Sequence, residues 1–95
     1  MVEVLAMTKT LVGWHIEVEF AEEGPHTTAA ALLRLPDGRE LRARGDTSRH
    51  PADPEQLRVG EEVATARALQ ALARQLLDKA HTEIDEMGAV PSYPL

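Results

Sequence analysis

Residues 49–77, RHPADPEQLRVGEEVATARALQALARQLL, decide how this chain folds. A proline-punctuated polar turn leads there into one long helix. Asp53-Pro54 can cap and start a short turn. Gly60 opens the helix, and Glu61 and Glu62 stand where acid complements its positive end. At about 100° per residue, Val59, Val63, Ala66, Leu69, Ala73, Leu76, Leu77, Ala80, Ile84 and Met87 share an arc of roughly 140°. Arg67, Arg74, Gln75, Asp78 and Lys79 fall outside it. Gly88 is a natural stop, and residues 90–95, VPSYPL, cannot continue the helix. A single one-sided helix needs a partner surface, which only the segments upstream can supply.

Those segments read as strands. Trp14, Ile16, Val18 and Phe20 alternate with His15, Glu17 and Glu19, the pattern of a strand with one wet face. Residues 22–26, EEGPH, are turn chemistry. From Thr27 to Leu35 the alternation resumes, with Thr27, Ala29, Ala31, Leu33 and Leu35 on one side. Leu35-Pro36-Asp37-Gly38-Arg39 forms a hairpin with a three-residue loop: Pro36 presets φ, Asp37 tolerates the next position, and Gly38 supplies the left-handed residue. Parity supports that length, because Leu35 then faces Arg39, Leu33 faces Leu41 and Ala31 faces Ala43. The outer face pairs Arg34 with Glu40 and leaves Arg42 and Arg44 beside Leu32 and Ala30. Residues 46–58 read as a polar connection. The fold class is α+β: a three-stranded antiparallel meander with one long C-terminal helix packed on one face. Residues 1–12 form an N-terminal extension, 13–87 the domain, and 88–95 a tail.

Ninety-five residues make one small domain with a modest core. Only three are aromatic, so Ala, Leu and Val must build that core, with Trp14 and Phe20 as its large pieces. The chain has no cysteine, which removes disulfides and thiolate metal sites and suits a reducing cytoplasm. Residues 1–13 lack a basic n-region and are interrupted by Glu3, Thr8, Lys9 and Thr10, so neither a signal peptide nor a membrane span is expected there. Net charge is −6, unevenly spread: −4 over residues 1–33, +1 over 34–58 and −3 over 59–95. An acidic protein repels nucleic acid in bulk, so any such contact would have to be local.

Three groups of residues together resemble a family of small actinobacterial domains of unknown function. They are Trp14-His15-Ile16-Glu17-Val18, the strand Thr27-Thr28-Ala29-Ala30-Ala31-Leu32-Leu33, and Pro51-Ala52-Asp53 followed by residues 59–69, VGEEVATARAL. The family includes short proteins induced in mycobacterial dormancy. His50 stands where the family usually has Asn. The resemblance implies a β-β-β-α fold like that of the double-stranded-RNA-binding domain, homodimerisation, and ribosome or RNA contact under stress, in the manner of hibernation factors. It carries no catalytic residues.

Read on residues alone, the RNA expectation is poorly supported. A double-stranded-RNA-binding domain grips phosphates with lysines at the start of its last helix, where this chain has Glu61-Glu62. Arg34, Arg42, Arg44 and Arg49, with Arg39, are the candidate anion or partner contacts, since guanidinium forks suit phosphate and carboxylate alike. Ala30 and Leu32 on the exposed sheet face, with Tyr93 and Leu95 in the tail, are the candidate dimer contacts. The histidines (15, 26, 50 and 81) show no metal-ligand spacing, and neither His15 near Glu17 nor His81 near Asp85 has a nucleophile beside it. Arg44-Gly45-Asp46 reads as a strand end followed by a turn. No glycine-rich phosphate loop appears. The expectation is a cytoplasmic, non-enzymatic homodimer that binds a partner, with no cofactor, metal, membrane or small-molecule substrate; ribosome or RNA association is the alternative, and a small enzyme the second alternative.

Overall fold

The computed structural model describes residues 13–50 and 57–88. Strands β1 (Ile16–Glu23), β2 (His26–Arg34) and β3 (Glu40–Ser48) form an antiparallel sheet in that order, and helix α1 (Leu57–Glu86) packs across one face. The α+β meander is the expected one. Residues 1–12, 51–56 and 89–95, and with them the Asp53-Pro54 cap and the tail contacts Tyr93 and Leu95, lie outside the described residues.

Two turns set the register. Gly24 at φ +56 takes the first central position of the β1–β2 hairpin, and Glu23 pairs directly with His26. That geometry is a type II′ turn, whose twist matches the strands it joins. Glu22, Glu23 and His26 are thus strand, and the turn is three residues shorter than EEGPH suggested. At the β2–β3 hairpin the three-residue loop is as expected. The Leu35 amide donates to the Arg39 carbonyl at 2.8 Å, and the Gly38 amide, at φ +91, to the Leu35 carbonyl at 3.0 Å. Leu33 pairs with Leu41, Ala31 with Ala43 and Arg34 with Glu40.

β3 runs on through Asp46, Thr47 and Ser48, where the sequence suggested a polar connection. Side chains on β2 hold these residues in the ladder: Thr28 Oγ1 donates to Asp46 Oδ1 at 2.9 Å, and His26 Nδ1 and Ser48 Oγ share a hydrogen bond of 2.6 Å. Arg44-Gly45-Asp46 is therefore internal strand, not a strand end.

Gly45 explains how α1 sits. An added Cβ would lie 2.3 Å from the Ala64 carbonyl oxygen and 2.4 Å from the Ala68 nitrogen. Strand and helix backbones touch here, and only glycine opposite alanine permits that approach. Gln75 Nε2 donates to the Arg42 carbonyl at 2.7 Å, and Arg67 Nη1 to the Asp46 carbonyl at 2.6 Å, tying the helix to β3. The helix also begins earlier than expected, at Leu57. Gly60 does not open it; it lies in the first turn against Thr27, where a Cβ would stand 3.1 Å from Oγ1. Glu61 and Glu62 consequently fall in the second turn, and the first turn carries Arg58 but no acid. At the far end Gly88, at φ +71, donates to the Asp85 carbonyl at 3.0 Å and stops the helix as expected.

The close approach makes a core of small residues: Ala29, Ala31, Leu33, Leu35, Ala43, Ala64, Ala68 and Leu72. Val18, Leu41, Ala71 and Leu76 pack against it. Two expectations fail here for one reason. A helix about 10 Å across covers about two strands of a sheet spaced at about 4.8 Å. Seated over Gly45, it covers β3 and β2 and scarcely touches β1. Phe20 and Trp14 are therefore not core; they are 43% and 53% exposed. The buried helix face is Ala64, Ala68 and Leu72, rotated from the wide arc centred on Leu69 and Ala73. Among the described residues no helix is long and apolar enough to cross a membrane.

Candidate functional site

The outer face of the sheet is built by strand parity. With Thr27, Ala29, Ala31 and Leu33 buried under α1, the alternate residues of β2 and their partners point the other way. Cross-strand rows then read Glu17–Leu32–Arg42, Glu19–Ala30–Arg44 and Glu23–His26–Ser48 from β1 to β3. One edge is acidic, the other carries two arginines, and small or apolar residues fill the middle.

Most of the charge on this face is already matched. Arg34 Nη1 meets Glu17 Oε1 at 2.6 Å and Arg34 Nε meets Glu40 Oε2 at 3.2 Å; Arg42 Nη2 meets the other oxygen of Glu40 at 3.2 Å. The hydrogen bond that Arg34 donates to Glu17, then that to Glu40, raises the Arg34 pKa above its ordinary value. Arg39 turns away to Asp37 at 2.7 Å and Glu83 at 3.6 Å, and this guanidinium holds the Asp37 carboxyl below its ordinary value. Arg49 lies beyond the end of β3, with its amide donating to the Pro25 carbonyl at 2.9 Å. About 30 Å of strand separates it from the Arg34–Glu40 row. Of the four candidate arginines, Arg44 alone has a side chain that forms no hydrogen bond or ion pair with the described residues. The structure brings Arg34 and Arg42 together through Glu40, places Arg44 one row on, and leaves Arg49 apart. Ala30 is exposed and Leu32 half-buried on this face, where the sequence placed them.

The inner side carries a surface the sequence did not single out. With β1 uncovered, Ile16 and Phe20 keep 47% and 43% of their surface, beside Leu69 and Leu77 at 38% and 43%. Phe20 joins Arg58, Glu61, Glu62, Thr65, Ala66 and Leu69 in lining an open groove of about 420 Å³. Helix geometry explains the lining: Leu69 and Ala66 lie on the flank roughly 100° or more around the axis from the buried Ala64–Ala68 edge. Ala66 and Leu69, part of the arc expected to be core, are therefore wall of this groove. The missed signal was Gly45 inside a strand pattern, together with alanines four apart at 64 and 68, which together mark a close crossing.

Ser48, His26 and Glu23 share one cross-strand row, on the face opposite the groove. Among the described residues no three histidines or carboxylates gather to hold a metal ion.

The family resemblance read from the motifs is matched by direct comparison. No curated protein matches the chain. The crystal structure of the mycobacterial protein Rv2632c is similar, with a TM-score of 0.78 and 31% sequence identity over 87% of this chain and 98% of that one. The model of the Rv2632c-like family matches residues 12–93. The chain belongs to the Rv2632c-like family, a small α+β family of unknown function.

Proposed function

We propose that the protein is a non-enzymatic binding protein that acts as a homodimer in the cytoplasm. One observation carries this reading: the apolar surface left along β1 and the adjacent flank of α1. Ile16, Phe20, Val59, Leu69, Leu77 and Met87 each keep between 38% and 76% of their surface. With residue surfaces of about 150–250 Å², they leave roughly 500–600 Å² of large apolar side chain exposed. These side chains are strung along about 40 Å of α1 and the neighbouring strand, and exposed apolar surface of this kind marks interaction sites. Doubled across a twofold, it reaches about 1,000–1,200 Å², the lower limit of a specific interface. A core dominated by alanine gives this domain an added reason to gain stability by association.

The outer face is a weaker candidate for holding a polyanion. Glu17 and Glu40 already occupy Arg34 and Arg42, and the β1 edge adds Glu19 and Glu23. A role under stress or in dormancy is drawn from the family resemblance. Sedimentation velocity tests the reading: a dimer is expected at tens of micromolar, and a monomer persisting at high micromolar concentration would overturn it.

A further inference from the structure

From the spacing of exposed residues on α1 we infer that two copies pair their helices antiparallel, crossing at Ala73. This builds on the dimer proposed above and supplies its geometry. Val59, Ala66, Ala73, Ala80 and Met87 recur at intervals of seven residues. About Ala73 the pattern reads alike in both directions: Leu69 and Leu77 lie four residues away, Ala66 and Ala80 seven, Val59 and Met87 fourteen. A twofold contact between antiparallel helices requires this symmetry, because each residue must meet its mirror position on the other copy. The seven-residue repeat keeps one stripe facing the partner along the whole helix.

The stripe is unpartnered in the monomer. Ala66, Ala73, Leu69 and Leu77 are exposed, while the neighbouring edge at Ala64, Ala68 and Leu72 is buried on the protein's own sheet. Alanine at the crossing lets helix axes approach to about 8 Å, with Leu69 of each copy packing beside Leu77 of the other. The antiparallel arrangement opposes the two helix dipoles and carries Arg58, in the first turn, toward Glu86 in the last turn of the other copy. A parallel pair would instead place Arg58 against Arg58 and Glu62 against Glu62.

The test uses the whole chain, which has no cysteine of its own. Ala73→Cys puts one thiol per protomer on the twofold axis, within the roughly 4–7 Å Cα separation that a disulfide spans. Mild oxidation is expected to give nearly complete covalent dimer, while Arg74→Cys, about 100° around the helix from Ala73, stays mostly monomeric on denaturing gels. Ala73→Arg, at an exposed position, is expected to keep the helical circular dichroism and weaken dimerisation at least 100-fold. A wild-type dimer whose Ala73→Cys variant does not cross-link, or which survives Ala73→Arg, overturns this geometry and leaves the dimer standing. A wild-type monomer overturns both.

Discussion

Replacing Gly45 with alanine places a methyl group 2.3 Å from the Ala64 carbonyl oxygen, 2.4 Å from the Ala68 nitrogen and 2.8 Å from Arg67 Cβ. Ordinary contact begins at 3.4 Å, so helix and strand must part by about 1 Å. The two nearest obstacles are helix backbone, which cannot rotate away as a side chain would. Overpacking of a tight core costs about 1–3 kcal/mol, and backbone obstruction puts this substitution near about 3 kcal/mol. A domain of this length has a total stability of about 5–14 kcal/mol. The corresponding loss in Tm is about 12–24 °C. The sign is informative, because Gly45 lies in β3 and has no positive φ. Alanine is easier to order in extended backbone, by about 0.4–1 kcal/mol, so the substitution would stabilise the fold if nothing stood in its way. Thermal and urea unfolding followed by circular dichroism at 222 nm measure the effect. A Gly45→Ala protein that melts within about 3 °C of the parent would refute the close helix–strand crossing, and with it the reason β1 is uncovered.

Three further outcomes follow from the same structure. Leu72→Ala, in the buried core, should cost about 2–5 kcal/mol of stability, whereas Leu77→Ala should cost the monomer under about 0.5 kcal/mol and weaken dimerisation instead; paired unfolding and sedimentation measurements separate the two. Asp37 should titrate below the ordinary aspartate range by NMR and return toward it in Arg39→Ala. Because its folded pKa is lowered, its stabilising contribution is present above the unfolded-state pKa and is lost as pH falls through the folded one. Finally, the protein should not co-sediment with ribosomes near 150 mM salt; salt-sensitive co-sedimentation abolished by Arg42→Glu with Arg44→Glu would reinstate the ribosome reading.

The sheet was largely legible in the sequence because its signals are local. Alternation placed Thr27, Ala29, Ala31 and Leu33 on one face, and Pro36-Asp37-Gly38 fixed a loop whose parity brought Leu33 to Leu41. The Gly88 stop was legible for the same reason. The end of β3 was not, because Asp46 and Ser48 favour turns until Thr28 and His26 pair with them across the strands. The helix face was misjudged because periodicity finds the most hydrophobic arc, whereas packing here selects the smallest one. Ala64 and Ala68 fit over Gly45; Leu69 and Leu77 would hold the helix away. Trp14 and Phe20 were assigned to the core on size, but their fate depends on where α1 sits, which no local pattern encodes. The candidate arginines were found as residues, yet their neutralisation by Glu17 and Glu40 is a property of register.

The most direct test of the central claim, that a second copy covers the flank of α1, is an isotope-filtered NOE experiment. Labelled and unlabelled protein are mixed in equal amounts, so that only contacts between copies are seen. Cross-peaks are expected from the methyl groups of Leu69 to those of Leu77 on the other copy. Contacts between copies running instead through Ala30 and Leu32 on the outer sheet face would contradict it.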